Sequence, residues 1–568
     1  MQQILGNTQG LSPSAIKALQ RLYRRKVSIE HITTPELNRT LIEASNETRR
    51  QVGVLVHRSG QVDSVIVGDS SQLMLPDIGR LRAAQGRFRA LRLVHTHVFG
   101  EELTKDDILD LVRLRLDLVC ALMLNPQGEL RGVHYAYNTP CYKDGDSPYR
   151  TIGPLHPGQL DVNFGALISA LEDEFARFTK TQKVDGKEGR AILVHVGRRQ
   201  KRGKKTGRHR DAMLDAQARL RELEELANTA GVQVMDTFVQ LRDKLDPRYV
   251  VGKGKLDEIV LRAFELDVTT LIFDHNLTPS QASSISRTSD LKVIDRTQLI
   301  LDIFAQRAES TDGKLQVELA QLKYALPRLA MKDDSLSRLT GGIGGRGPGE
   351  TKLEIGRRRA RERVSALEGR LKKLAKQRKQ RRRRRQRQDI PIVSIVGYTN
   401  AGKSTLLNSL TDSDVLAENK LFATLETRTR RLRFPEDREV VITDTVGFIR
   451  DLPKDLFAAF RATFEETADA DLILHVVDAS DPDHERHIET TEELLAELDL
   501  HEIPRLLVFN KVDLVDEQER VSLLAGQRDA IDVSALDRST ITPLLDMIAS
   551  RLANRWDASA LVTSHAAS

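Results

Sequence analysis

The run DIPIVSIVGYTNAGKSTLLNSL, residues 389–410, leaves a chain little choice of local fold. An apolar strand from Ile390 to Val396 feeds Gly397-x-x-x-x-Gly402-Lys403-Ser404. Leu406, Leu407 and Leu410 then recur at helical spacing. A strand, a glycine-bearing turn and a helix in that order make a P-loop. Glycines let backbone N–H groups face the phosphates, with Gly397, Tyr398, Thr399, Asn400, Ala401, Gly402 and Thr405 as binding positions. Lys403 reaches the β- and γ-phosphates, and the Ser404 hydroxyl is placed to ligate Mg²⁺.

Three further motifs follow in order, each at the end of an apolar strand. VVITDTVGF sets Asp444 to hold Mg²⁺ through water and Gly447 to offer an N–H to a γ-phosphate, with Thr445 and Val446 between them. RLLVFNKVD ends in Asn510-Lys511-x-Asp513. A carboxylate there accepts two hydrogen bonds from guanine N1 and N2, a donor pair adenine lacks, so Asp513 selects GTP over ATP. AIDVSAL brings the backbone of Ser534 and Ala535 to guanine O6. Four ordered motifs predict a Ras-like P-loop GTPase domain that takes GTP and Mg²⁺, with Lys403, Thr424 and Gly447 as its catalytic groups. Thr424, in LFATLETRTRR, is the switch threonine expected on Mg²⁺ and the γ-phosphate, with Phe422, Ala423 and Leu425 alongside. Phe448 stands where many GTPases place a water-orienting glutamine, and a phenyl ring cannot orient water by hydrogen bonding. The loop GYTNAGKS resembles that of potassium-activated GTPases, which implies a K⁺ beside Asn400. As a plain loop residue, Asn400 would simply fit the turn.

A length of 568 residues predicts about three or four domains. Two cysteines, Cys120 and Cys141, exclude a disulfide framework and a cysteine-based zinc site. No stretch of about 18 apolar residues is present, which predicts a cytoplasmic protein with no membrane span. The net charge is only +6, yet positive charge collects in two places. Residues 357–388 carry 17 Lys/Arg against two Glu, and RRQKRGKKTGRHR at 198–210 has eight and no acid. Two dense patches in an otherwise balanced chain point to a polyphosphate partner, RNA above all.

GYTNAGKSTL, LFATLETRTRRL and DTVGFIRDLP resemble the HflX family of translational GTPases. Upstream, YVVGKGKLDEI, LIFDHNLTPSQ, VIDRTQLILDIFAQRA, GKLQVELAQL and GGIGGRGPGETKLE are similar to the same family, so the match runs from about 189 to 556. The resemblance implies binding to the large ribosomal subunit and GTP-dependent splitting or rescue of stalled or idle ribosomes, by a monomer. It also implies that the glycine loop approaches the peptidyl transferase region. The formal G-x-G-x-x-G of Gly342, Gly344 and Gly347 has no strand before it, so a dinucleotide turn is not expected. Leu315, Leu319, Leu322, Leu326 and Leu329 step by four and three, as do Val364, Leu367, Leu371 and Leu374. The two stripes predict an antiparallel helical hairpin, with Pro327 kinking or ending its first helix and the glycines at its RNA-probing tip. Gly252-Lys253-Gly254-Lys255 reads as a basic turn opening a helix.

Residues 1–188 fall outside the core of that match. QVGVLVHRSGQVDSVIVGD predicts a β-hairpin. A strand then ends in His95-Thr96-His97, before a Thr104-x-x-Asp107 step and a long helix. H-x-H followed by S/T-x-x-D resembles the JAMM (MPN) metalloprotease fold, which implies Zn²⁺ on His95, His97 and Asp107, a hydroxyl at Thr104 for the oxyanion, and a general base at Glu47 or Glu43. Thr104 replaces the usual serine, and Val98 stands where proline normally follows the second histidine.

The expected organisation is therefore a multidomain α/β chain: 1–188 a JAMM-like domain, 189–310 an HflX α/β subdomain, 311–388 a helical hairpin with its basic tract, 389–556 the G domain and 557–568 a tail. Two rivals are an RNA-remodelling, helicase-like NTPase and a metallopeptidase with a regulatory G domain. The second requires metal on His95, His97 and Asp107.

Overall fold

The computed structural model describes residues 3–75, 88–142, 146–182, 189–198, 208–289, 291–331, 352–386, 390–411, 421–422, 428–435, 438–445, 447–450, 467–525, 527 and 529–566. Three sheets organise them. The first orders β1 (Ile4–Gly6), β3 (Val62–Val67), β2 (Val52–His57), β4 (Leu91–His97), β5 (Leu118–Leu124), β6 (Leu130–Asn138) and β7 (Tyr149–Leu155). The expected hairpin is β2 against β3, antiparallel. Strand β4 ends on His95-Thr96-His97, as read, and β2 lies beside it with Gly53 opposite His95.

The long helix expected after Asp107 is not there. The helix runs Lys105–Arg113 and stops, Arg115 takes a left-handed φ of 50°, and LVCALML forms β5, buried along its whole length. A continuous apolar run buried on both faces suits a strand as well as a helix, so periodicity alone does not separate them.

The second sheet is all parallel, in the order β11 (Lys292–Asp295), β10 (Thr270–Phe273), β8 (Gly189–Arg198), β9 (Val232–Arg242). The predicted strands AILVHV, VQVMDTF, TTLIFD and LKVID all fall on it. The basic glycine turn opens the helix Lys253–Glu265 with Gly252 at its N-cap. That helix packs against the Lys105–Arg113 helix of the first unit. Leu109 joins the apolar cluster of the second sheet, Leu261 and Phe264 join that of the first, and Arg113 donates to the Thr288 carbonyl.

Helices Thr311–Met331 and Lys352–Gln386 lie against each other, with Leu367 fully buried. Pro327 does not end the first helix, which continues to Met331; the Arg328 guanidinium caps the Tyr324 carbonyl in that turn and also reaches Asp295. Ion pairs Glu318–Arg363 and Lys323–Glu368 tie the helices. An antiparallel register pairs rising with falling residue numbers; these two pairs rise together and give the antiparallel direction no support. The glycine stretch 340–351 lies outside the described residues, as do side chains for most of the basic tract beyond Lys376.

The third sheet orders β13 (Arg428–Phe434), β14 (Arg438–Asp444), β12 (Ile392–Gly397), β15 (Leu472–Asp478), β16 (Arg505–Asn510) and β17 (Ala530–Asp532), with only the β13/β14 pair antiparallel. Parallel strands joined by crossovers put their C-terminal ends along one edge, where open α/β sheets carry ligands. One apolar cluster crosses from the second unit to this one, uniting Ala191, Leu193, Leu301 and Phe304 with Tyr398, Leu421, Phe422, Phe448 and Ile449.

Candidate functional site

The phosphate loop leaves β12 through Gly397, whose φ is 147° and whose added Cβ would fall 2.1 Å from the Val476 carbonyl oxygen. Asn400 follows in left-handed backbone at φ 63°, then Gly402 at φ 86°. A Cβ on Gly402 would lie 2.2 Å from Asn510 Nδ2. Glycine is required at both ends by contact as well as by dihedral. Helix Lys403–Thr411 starts at the loop's end.

Lys403 is 6% exposed, and its Nζ donates to the Tyr398 carbonyl at 2.6 Å. Burial pulls its pKa down to about 8, against the opposing pull of Asp444. The Ser404 hydroxyl donates to Asp444 Oδ2 at 2.7 Å, so the two oxygens expected to share Mg²⁺ already touch. Thr445 is buried, its hydroxyl bonded to the Ile395 carbonyl, and Thr405 is half-buried on the helix. Gly447 abuts the loop: a Cβ there would meet Thr399 Cγ2 at 2.8 Å and Lys403 Nζ at 3.0 Å.

Asn510 braces the loop. Its Nδ2 donates to the Ala401 carbonyl at 2.8 Å and its Oδ1 accepts from the Ala535 amide at 3.0 Å, so the 397–404 and 534–535 segments share one buried side chain. Lys511, at φ 63°, pairs with Asp478 Oδ2 at 2.6 Å. Asp513 is exposed, and Ser534 is buried with its amide on Thr540 Oγ1.

One expected contact moves. Phe422 is 2% exposed and its ring meets Phe304 edge-on at 4.6 Å, so its side chain belongs to the core between units instead of to the nucleotide. Ala423, Thr424, Leu425 and Val446 lie outside the described residues.

Sequence reading missed a buried polar network behind the loop. The Tyr398 hydroxyl bonds the Glu222 carboxylate and accepts from the Arg450 amide at 2.9 Å, while its ring stacks on His487 with centroids 3.8 Å apart. Glu222 Oε2 also holds Arg296 at 2.8 Å, and Arg296 donates to the Arg450 carbonyl. Burial, reinforced by Glu222, pushes the Tyr398 phenol well above the usual tyrosine range. Burial works against the Arg296 cation, but Glu222 and Asp274 outweigh it. Arg450 sits inside DTVGFIRDLP; Glu222 carries no local signal, since it is one acid among many on a charged helix.

In the first unit, His95, His97 and Asp107 do converge. His95 Nε2 stands 2.8 Å from His97 Nε2 and 3.2 Å from Asp107 Oδ1, and His97 Nε2 lies 3.4 Å from Asp107 Oδ2. Their ligand atoms all lie within 4.8 Å of one another. His97 Nδ1 faces the Glu101 carbonyl at 2.9 Å, which turns Nε2 inward. Two imidazoles and a carboxylate fit a zinc-type donor set. Burial lowers His95, whereas for His97 the Asp107 partner overcomes burial and raises it. The other expected roles shift. Glu43 and Glu47 are both exposed on the helix Pro35–Thr48, and the Thr104 hydroxyl is committed to Asp107 Oδ2 at 2.7 Å as a helix cap. The acid beside the histidines is Glu101, whose Oε1 accepts from Gln51 at 3.1 Å and whose charge acts on both rings. Its place four residues after His97 was the available signal.

Family models match three consecutive stretches: "GTP-binding GTPase N-terminal" over 217–305, "GTP-binding GTPase Middle Region" over 307–385 and "50S ribosome-binding GTPase" over 392–511. The GTPase HflX of Caldanaerobacter subterraneus subsp. tengcongensis is 48% identical over 329 residues, covering 58% of this chain and 76% of that protein. GTPase HflX of Escherichia coli K12 is 49% identical over 300 residues, covering 53% and 70%. A crystal structure of a GTP-binding protein from Sulfolobus solfataricus in complex with GDP aligns with 25% identity and a TM-score of 0.35, over 64% of this chain and 99% of that one. Nearly half of the aligned positions are identical across most of the bacterial relatives' length, and the chain belongs to the HflX family of GTPases.

Proposed function

We propose that the protein binds GTP with Mg²⁺, hydrolyses it to GDP and phosphate, and does so on the large ribosomal subunit, where the cycle splits or rescues stalled or idle ribosomes. The observation that carries this is the joint placement of Lys403, Ser404, Asp444 and Gly447 around the loop, braced by Asn510. Lys403 leaves the Tyr398 carbonyl for the β- and γ-phosphates, the Gly447 amide takes the γ-phosphate, and Asp513 reads the guanine edge. Ser404, Thr424 and Asp444 would hold Mg²⁺, which would supply neutralisation of the charge that develops on the phosphates. The basic helix Lys352–Gln386 is the rRNA-facing element, supported by its run of cations. Among the described residues no helix is long and apolar enough to cross a membrane. The protein acts as a cytoplasmic monomer, in part ribosome-bound, its domains divided as the sequence suggests. The test is sedimentation of ribosomes with the full chain and GTP, a nonhydrolysable analogue or GDP. Cosedimentation in at least one state, together with GTP turnover lost in Lys403→Ala, is the expected result; no cosedimentation in any state defeats the ribosomal reading.

The convergence of His95, His97 and Asp107 supports a second reading, a Zn²⁺ site in the N-terminal domain. These three residues would hold the ion, which would act there as a Lewis acid or a structural clamp.

A further inference from the structure

We propose that the Thr399 hydroxyl holds and orients the water that attacks the γ-phosphate of GTP. This rests on the reading of the chain as a GTPase and adds a catalytic residue to it.

The usual position for such a group is spent on something else. Phe448 follows Gly447, but it is 2% exposed and packs in the apolar cluster with Tyr398, Leu421, Phe422 and Ile449. Its backbone is also committed: the Phe448 amide donates to Gly397 O at 3.0 Å, and Phe448 O accepts from the Thr399 amide at 2.8 Å. Its ring offers no hydrogen bond to a water, and its amide is already spent. Those two bonds have another effect, because they staple Thr399 to the segment that carries Gly447.

Thr399 is 6% exposed, and its Oγ1 has no hydrogen-bond partner among the described residues. A buried hydroxyl left unpaired is unfavourable, so its presence is best accounted for by a partner that arrives with the substrate. Its position says which partner. The point where a Gly447 Cβ would sit is 2.8 Å from Thr399 Cγ2, 2.9 Å from Thr399 Cα and 3.0 Å from Lys403 Nζ. Thr399 therefore stands where the γ-phosphate lysine and the γ-phosphate amide meet. Threonine has a stiff χ1, so the placement of its methyl on the Gly447 side limits where Oγ1 can point. Thr399 also lines a cleft with Asn400, Glu222, Asp478 and Asp481.

The chemistry balances without any other reagent. Thr399 Oγ1 accepts a hydrogen bond from the attacking water and donates a hydrogen bond to a γ-phosphate oxygen, keeping its own proton. The water oxygen bonds to phosphorus, the bond from phosphorus to the bridging oxygen breaks, and its electron pair stays on the β-phosphate of GDP. The water's proton ends on the released phosphate, and Thr399 is unchanged.

The experiment uses the full chain with GTP and Mg²⁺ under single-turnover conditions. It measures the hydrolysis rate, the affinity for a nonhydrolysable GTP analogue, and capture of GDP with aluminium fluoride. Thr399→Val keeps the shape and the methyl on the Gly447 side and removes only the hydroxyl. Loss of one positioned hydrogen bond predicts a rate lower by about 10- to 100-fold, unchanged melting temperature, analogue affinity within about twofold, and weakened aluminium-fluoride capture. Thr399→Ser restores most of the rate. A Thr399→Val protein that hydrolyses at the wild-type rate, or that loses analogue affinity as steeply as rate, overturns the role given to Thr399. Wild-type protein that hydrolyses no GTP, alone or with ribosomes, would take down the GTPase reading and this proposal with it.

Discussion

The hydroxyl of Tyr398, second residue of the phosphate loop, is bonded to Glu222 on the helix Arg208–Thr229, which belongs to a different sheet unit. Glu222 in turn holds Arg296, and Arg296 holds the carbonyl of Arg450, three residues past Gly447. Both faces of the γ-phosphate region are thus fastened to the neighbouring unit. Removing the Glu222 carboxylate leaves Arg296 buried with its largest counter-charge gone. Glu222→Ala is expected to lower unfolding stability by about 3–5 kcal/mol, and Tyr398→Phe by about 1–3 kcal/mol, both read by denaturant melts of the full chain. A Glu222→Ala protein as stable as wild type would mean that the network is ornamental.

Lys403 gives a pH prediction. Burial depresses its pKa from 10.5 to about 8 before nucleotide arrives. The protonated form is the disfavoured one in the folded protein, so between pH 8 and 10.5 the unfolded chain binds more protons than the folded one. Stability of the nucleotide-free protein accordingly rises across that window and gains nothing more from this group above it. A triphosphate restores the cation, so GTP binding near pH 9 takes up a proton. Titration calorimetry in two buffers of different ionisation enthalpy reads this directly; identical heats would show no uptake.

Asp513 is exposed, and the proposed function gives it the guanine N1–H and N2–H pair to accept. Asp513→Asn replaces an acceptor by a donor on one oxygen position. GTP affinity should fall by about 10²-fold or more, and xanthosine triphosphate, which carries a carbonyl at C2, should gain. Unchanged GTP preference in a competition assay would remove Asp513 from the recognition set.

Asn400 stands in left-handed backbone within the loop, which suits a turn asparagine, while the loop's resemblance to potassium-activated GTPases implies a K⁺ beside it. Hydrolysis in K⁺ against Na⁺ separates the two. A several-fold K⁺ advantage lost in Asn400→Ala supports the ion; equal rates leave a turn.

For the N-terminal cluster, metal analysis of the full chain and of His95→Ala is decisive. One zinc per chain in the wild type, lost in the variant with no loss of GTP binding, is the expected outcome, and no metal in either denies the site.

The nucleotide site was readable because its residues act through local geometry. A strand, glycines at two collisions and a lysine at a helix start are adjacent in sequence, and Gly397, Gly402 and Lys403 stand where they were expected. Glu222 was invisible because its role comes from a contact 176 residues away in the chain. Phe422 was misread because lying next to a switch motif says nothing about which way a ring turns. The LVCALML run defeated the period test, and Glu43 and Glu47 rested on a family resemblance alone, although their helix presents them to solvent.

The helix Lys105–Arg113 begins at the His/His/Asp cluster and beds against the helix Lys253–Glu265, with Leu109 inserted in the neighbour's core. The strands and helices of the seven-stranded sheet are therefore not an appendage on a leash. They add fixed bulk at a fixed bearing to the unit that carries the G domain. On the ribosomal reading proposed above, any ribosomal state that takes up the protein must also have room for the seven-stranded sheet, a requirement that holds whether or not its histidines ever hold a metal.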